Sequence, residues 1–236
     1  MLGVIGSLIL LALVAYLWGS IPSGYWMGKL LRGKDFDIRD YGSHRIGATN
    51  ILRTLGKGPA LIVFLIDISK GVGPVLLATF VPFFYYAGWG PSIAGLAALL
   101  GHCFPIFIGF KGGRGVLTGA GALLVISPFI FLISLVVTLV TIATSRFVSL
   151  GSVLGSLATI VSGLVFFFVD LADPSFFIHV TFPDLLFLVI APALVIIFHY
   201  DNIGRLLSGT ERKIGQKVQV EENPASPTNP SSKAQA

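Results

Sequence analysis

Residues 115–145 read GVLTGAGALLVISPFIFLISLVVTLVTIATS, 31 residues without a charge. As one α-helix the stretch would run about 46 Å, well beyond a hydrocarbon core of roughly 30 Å. Ser127-Pro128 stands near its middle and is a turn signal. The reading is therefore two helices, Gly115–Ile126 and Pro128–Ser145, the first short enough to be a half-spanning one.

Working outward, five more apolar segments follow: Leu2–Met27, Pro59–Pro82, Phe83–Ile108, Phe147–Val169 and Asp184–His199. A membrane helix needs roughly 20 apolar residues. Composition agrees. Hydrophobic residues make up 54% and charged residues 11%, against about 25% charged in a soluble domain. Mean hydropathy is +0.88. The expected fold is all-α, a polytopic membrane helix bundle. No Lys or Arg precedes Lys29, so the start lacks the basic region of a signal peptide, and Leu2–Trp18 reads as a retained helix.

Basic residues set the expected orientation. The segment 29–57 carries Lys29, Arg32, Lys34, Arg39, Arg45, Arg53 and Lys57. Lys111 and Arg114 follow the third apolar segment, and Arg146 follows residue 145. Arg205, Arg212, Lys213, Lys217 and Lys233 follow His199, whereas residues 170–184 hold Asp170, Asp173 and Asp184 and no Lys or Arg. Six crossings would separate the basic tail from the basic 29–57 loop. Seven, with the break at Ser127-Pro128, keep them together, with the amino terminus outside and the carboxyl terminus cytoplasmic. Residues 1–215 read as one integral membrane domain. Residues 216–236, rich in Pro, Ser, Asn, Gln and Ala, read as a disordered cytoplasmic tail.

Cys103 is the single cysteine, which excludes a disulfide framework and a Cys-based zinc cluster. His44, His102, His179 and His199 stand in four contexts without metal-binding spacing, so no metal is expected.

Three polar boxes share the basic side. The first joins Gly19-Ser-Ile-Pro-Ser-Gly-Tyr25 to residues 37–56, where Ser43, Asn50 and Arg53 lie among small residues; Asn50 and Arg53 are three apart and share a helical face. Asp67 and Lys70, also three apart, lie inside an apolar span, where an ionisable pair points to function unless it neutralises itself. The second box is Gly101-His102 through Lys111-Gly112-Gly113-Arg114-Gly115 to Thr118. Glycines that free backbone N–H groups, beside two cations, suit a phosphate. The order of a nucleotide-binding P-loop is absent. The third box is His199-Tyr-Asp-Asn202 followed by Arg205, spaced by three on one face. Ser149 and Ser152, read alone, are ordinary membrane-helix serines.

Together these boxes resemble those of the bacterial acyl-phosphate:glycerol-3-phosphate acyltransferases. The resemblance runs from about Gly19 to Lys213. It is carried by Gly19-Ser-Ile-Pro-Ser-Gly24, Gly47-Ala-Thr-Asn50 with Arg53 and Gly56, Asp67 with Lys70-Gly71, Gly101-His102 with Phe104-Pro105, Lys111-Gly-Gly-Arg-Gly115, and His199 with Asn202, Arg205 and Gly209-Thr-Glu211. It implies acyl transfer from acyl phosphate to the 1-hydroxyl of glycerol 3-phosphate at the inner membrane, opening phospholipid synthesis. It implies no cofactor and no nucleic acid. The partners are the two substrates, membrane lipids and an enzyme supplying acyl phosphate. Residues 111–118 would form the phosphate loop, Arg53 and Arg114 would neutralise phosphates, and Ser149, His199 and Asn202 match the family's polar active-site positions. Two departures stand out. The family usually has Gly-Asn where this chain has His44-Arg45, and usually has Lys where it has Arg114.

The chemistry is undemanding, because an acyl phosphate carries a good leaving group. Positioning, charge neutralisation and removal of one proton suffice. A different class of glycerolipid acyltransferases uses an H-x4-D spacing, which His179 and Asp184 satisfy, but in the acidic outer loop; this reads as coincidence. A transporter for a phosphorylated metabolite shares broken helices and a basic cavity, though no inverted repeat is evident. A non-catalytic scaffold is the remaining alternative.

Overall fold

The computed structural model describes residues 2–218, and among these every regular element is helical. In chain order they are α1 (Leu2–Gly19), α2 (Ser23–Arg32), α3 (Ala48–Thr54), α4 (Lys57–Phe80), the single turn α5 (Pro82–Tyr85), α6 (Trp89–Cys103), α7 (Val116–Ile126), α8 (Pro128–Ser145), α9 (Val148–Ala172), α10 (Phe182–Ile197) and α11 (Tyr200–Leu207). Short 3-10 turns cover Ile38–Asp40 and Ile106–Ile108. Residues 219–236 of the expected tail lie outside the described residues. Residues 216–218 fold back on the bundle, where the Val218 N–H donates to the Arg53 carbonyl at 3.0 Å.

The break at Ser127-Pro128 falls where the sequence places it, with α7 ending at Ile126 and α8 opening on Pro128. Three expected boundaries change. The first segment is broken at Ser20–Pro22 rather than running to Met27, because Pro22 cannot donate into a continuing helix. The helix expected from Phe83 starts only at Trp89, because Tyr86, Ala87 and Gly88 all have positive φ. The sixth segment bends by 56° after Ile197, which leaves His199 at the elbow between α10 and α11.

Five stretches are long and apolar enough to cross a membrane: Gly3–Arg32, Lys57–Phe80, Trp89–Ile108, Pro128–Ser145 and Val148–Ala172. The bent α10–α11 pair is a sixth. Helix α7, with 11 residues, rises only about 16 Å. It is short because it begins at depth. Thr118 in its first turn donates its hydroxyl to the Asp67 carbonyl at 3.0 Å, and Asp67 lies about 15 Å along α4 from Lys57. At the other end of α7, Phe129 packs on Phe177 of the acidic 170–184 loop, ring centroids 5.7 Å apart. The glycine loop therefore dips into the bundle, and α7 runs from there toward the end that carries the acidic 170–184 loop.

Small residues permit these approaches. A Cβ on Gly71 would sit 2.0 Å from the Thr118 carbonyl oxygen, so α4 and α7 pack backbone to backbone. One on Gly155 would sit 2.0 Å from Thr138 Oγ1, and Ser134 Oγ donates to the Gly155 carbonyl at 2.9 Å, which binds α8 to α9. Helix α8 fully buries only Ile130 and exposes Phe129, Leu132, Val136 and Val140, as a lipid-facing helix does.

The basic segments converge on one end of the bundle. Arg212 Nη1 donates to the Gly42 carbonyl at 2.7 Å and Arg53 Nη2 to the Arg212 carbonyl at 3.1 Å. Arg39 reaches the Ile108 carbonyl and the Ile214 N–H reaches the Arg146 carbonyl. The acidic 170–184 loop closes the opposite end.

Candidate active site

A cavity of about 420 Å³ opens among α3, α4, α6, α7, α8, α9, α10 and α11. Its polar end is lined by Ser43, Arg45, Thr49, Asn50, Arg53, Asp67, His102, Arg114, Ser149, His199, Asn202 and Glu211. Its apolar end runs between α7, α8, α9 and α10 past Leu117, Leu123, Phe131, Leu135 and Val195. One site therefore joins a cationic pocket to a trough between helices.

The loop before α3 is built on Asn50. Its Nδ2 donates to the carbonyls of Ile38, Tyr41 and Arg45, and its Oδ1 accepts from the Ser43 N–H. Asn50 thus spends its amide on the loop, which it locks against α3. Arg53, one turn on, is 8% exposed, and its Nε has no partner. Burial lowers the Arg53 pKa and the cations Arg212 and Arg114 add to this, against the opposing pull of Glu211. A buried guanidinium N–H without an acceptor favours an incoming anion.

Arg114 enters from the glycine loop. Its Nη2 donates to Asp201 Oδ2 at 2.7 Å and its Nε to the Phe198 carbonyl at 3.1 Å. Burial lowers its pKa too. The rest of that loop is arranged differently from the sequence expectation. The Gly112 and Gly113 N–H groups donate to the carbonyls of Cys103 and His102, which leaves neither free for a phosphate. Lys111 is exposed and does not line the cavity. Gly115, at φ +80, supplies the left-handed turn that aims α7 into the bundle. Thr118 is spent on α4, as described above.

Lys70 is fully buried behind the wall. Its Nζ donates to Asp67 Oδ1 at 2.6 Å and to Ser23 Oγ at 3.1 Å, while Ser23 Oγ donates to the same carboxylate oxygen at 2.6 Å. The pair is self-neutralising and does not reach the cavity through Lys70. Asp67 does reach the lining, with His102 Nδ1 3.8 Å from its carboxylate.

Three positions from the third box meet the start of α9. His199 Nδ1 lies 2.7 Å from the Val195 carbonyl, which only accepts, so this nitrogen carries the proton. Neutral His199 therefore keeps its lone pair on Nε2. Glu211 ties the rest together. Its Oε1 accepts from Ser149 Oγ at 2.8 Å and Asn202 Nδ2 at 2.8 Å, and its Oε2 from Arg205 Nε at 2.7 Å. Asn202 Oδ1 is buried without a partner. Ser149 gives its proton to Glu211 rather than to a histidine, so no Ser–His nucleophile pair forms here.

The glycerol-3-phosphate acyltransferase family model matches residues 9–209. The chain belongs to this family. A glycerol-3-phosphate acyltransferase of Thermosynechococcus vestitus is 43% identical over 216 residues, covering 87% of this chain and 94% of the relative. One from Listeria monocytogenes is 42% identical over 214 residues, covering 88% and 97%. The crystal structure of PlsY, an integral membrane glycerol 3-phosphate acyltransferase, in its glycerol 3-phosphate form superposes with TM-score 0.75 at 36% identity, covering 89% of this chain and 96% of that one. Its lysophosphatidic acid form gives 0.71 at 37% identity. This family member is thus an integral membrane protein with several apolar helices.

Glu211 is the residue that sequence reading undervalued. It entered only as part of the Gly209-Thr-Glu211 pattern, yet it accepts from three side chains of the site. Its signal was present: a lone carboxylate in a basic segment facing a membrane needs partners. Burial opposes its charge, but the hydrogen bonds from Arg205, Asn202 and Ser149 prevail and hold its pKa below the ordinary glutamate range. A depressed folded pKa gives stability that is present above the unfolded value and lost as pH falls through the folded one. Glu211→Gln is expected to lower the unfolding midpoint by several degrees near neutrality. The gap to wild type should narrow as pH falls below the ordinary glutamate pKa of about 4.3. Thermal unfolding in detergent from neutrality into the acid range checks it; parallel curves would show that Glu211 carries no such charge.

His179 and Asp184 make no common site. His179 Nδ1 pairs with Asp170 at 2.8 Å, and Asp184 accepts from Thr181 in the capping box of α10. Neither lines the cavity.

Proposed function

We propose that this chain transfers a fatty acyl group from acyl phosphate to the 1-hydroxyl of glycerol 3-phosphate, giving lysophosphatidate and inorganic phosphate. The observation that carries this reading is the joined cavity. Arg45, Arg53 and Arg114 stand at one end and an apolar trough between helices continues from the other. Such a shape takes two phosphates and one acyl chain, with the chain open to lipid. The names of the relatives and of the two PlsY forms support the acceptor and the product. The donor rests on the resemblance and on the second cationic position.

The hydroxyl oxygen of glycerol 3-phosphate attacks the acyl carbonyl carbon, the carbon–oxygen bond to phosphate breaks, and phosphate leaves. His199 Nε2 takes the hydroxyl proton, since Nδ1 is committed to Val195. The orphaned Asn202 Oδ1 accepts from the neighbouring 2-hydroxyl of glycerol 3-phosphate and so orients the acceptor beside His199. The arginines neutralise the phosphates and hold the reacting atoms together. No acyl-enzyme forms. The site faces the cytoplasm of a bacterial inner membrane, a reading supported by the gathering of basic segments at that end of the bundle. A separate enzyme then supplies the acyl phosphate.

The test is acyl transfer by purified protein in lipid, with labelled glycerol 3-phosphate and either palmitoyl phosphate or palmitoyl-CoA. Lysophosphatidate is expected from the acyl phosphate alone. Product from palmitoyl-CoA would remove the donor assignment. No product from either, with folded protein, would remove the enzyme reading in favour of transport.

A further inference from the structure

Arg45 lines the cavity, and among the described residues no carboxylate pairs with it in direct contact. Its backbone is fixed by other means. Asn50 Nδ2 donates to the Arg45 carbonyl at 2.8 Å. The preceding His44 is held at φ +55, with its Nδ1 2.9 Å from the Arg39 carbonyl. Held from both sides, the loop delivers Arg45 to the cavity wall. Among the described residues its guanidinium makes no hydrogen bond and no ion pair.

The other cations around the site differ. Lys70 is matched by Asp67, Arg114 by Asp201 and Arg205 by Glu211. Arg53 has no carboxylate in contact but donates to the Arg212 carbonyl. Two positive charges on the wall are therefore unmatched, those of Arg45 and Arg53. Their electrostatic effect is visible at neighbours: after burial, the Arg45 charge depresses Arg114 further. A half-buried guanidinium that repels Arg114, lies in the field of Asp201 and bonds no protein group is one that an incoming phosphate would stabilise.

We propose that Arg45 is a second phosphate-binding side chain of this site, contacting a phosphoryl group alongside the one that Arg53 holds. The inference rests on the reading that two phosphate-bearing substrates meet in this cavity. It makes position 45 a determinant of phosphate affinity in this chain, where the usual family residue is uncharged. A guanidinium fork can take two phosphate oxygens at once, so lysine replaces it only in part.

The experiment compares wild type, Arg45→Gln and Arg45→Lys in lipid. The KM of glycerol 3-phosphate and of palmitoyl phosphate are measured separately, each with the other saturating. Inorganic phosphate binding to the same proteins is measured by calorimetry, which does not depend on turnover. Arg45→Gln is expected to raise one KM about tenfold with kcat within about threefold, and to weaken phosphate binding comparably. Arg45→Lys should recover part of both. A rise for glycerol 3-phosphate assigns Arg45 to the acceptor, and a rise for palmitoyl phosphate assigns it to the donor. Unchanged KM values with unchanged phosphate affinity overturn the proposal, as does a lowered unfolding midpoint in Arg45→Gln, which would mark a structural side chain. If wild type turns over no substrate, the enzyme reading fails by itself, and the calorimetric difference still decides the role of Arg45.

Discussion

Arg53→Ala is expected to lower kcat/KM for glycerol 3-phosphate by roughly a hundredfold or more. The side chain is almost wholly buried, lines the cavity and has a free Nε, so its charge is held ready at a cost the fold already bears. Losing one partner of a buried charge-assisted contact costs about 2–5 kcal/mol, and each 1.36 kcal/mol is tenfold in rate. Arg53→Lys should recover little, since one ammonium cannot reach both the Arg212 carbonyl and a phosphate. Lys111→Ala is the control: an exposed lysine off the cavity lining should change kcat/KM by no more than about threefold. Steady-state kinetics of the three variants check this. Wild-type activity in Arg53→Ala, or a Lys111→Ala loss as large as that of Arg53→Ala, would show that the phosphate sits over the exposed loop instead.

His199→Ala is expected to reduce kcat by about two to four orders of magnitude, with KM for glycerol 3-phosphate little changed. The effect should fall on kcat because His199 acts on the proton and not on the phosphate. His199→Gln separates base from orienter. Glutamine can fill the space and hydrogen-bond, but it cannot take a proton at neutral pH. Equal losses in both variants identify the base. Recovery in His199→Gln to within about tenfold of wild type would make His199 an orienting group and leave the proton to the substrate phosphate. The elbow that holds His199 is stiff, with Nδ1 on Val195 and its own carbonyl accepting from Ile203 N–H, so folding should survive either change.

These effects trace to features of unequal visibility. The all-helical fold was legible because composition and the length of apolar runs are local quantities. Ser127-Pro128 marked the break between α7 and α8 because proline acts through its own backbone. The gathering of basic segments at one end followed from charge alone. The boxes around Arg53, Arg114, Ser149, His199 and Asn202 were readable as motifs, and the structure brings all five to one cavity.

Other assignments depended on partners distant in the chain. Lys70 and Asp67 read equally well as a site or as a neutral pair until Ser23, 44 residues from Asp67, was seen to complete the triad. Lys111, Gly112 and Gly113 looked like one phosphate loop, because sequence shows that glycine frees an N–H but not where that N–H is spent. Here the last turn of α6 accepts two of them. Glu211 was nearly silent for the same reason, since its three donors come from α9 and α11. By itself, then, the sequence determined that this is a membrane helix bundle of this family with its basic charges on one side. Only the tertiary structure decided which polar groups are consumed in holding helices together and which remain open to a substrate. Hydrogen bonding is short-ranged in space and indifferent to distance along the chain.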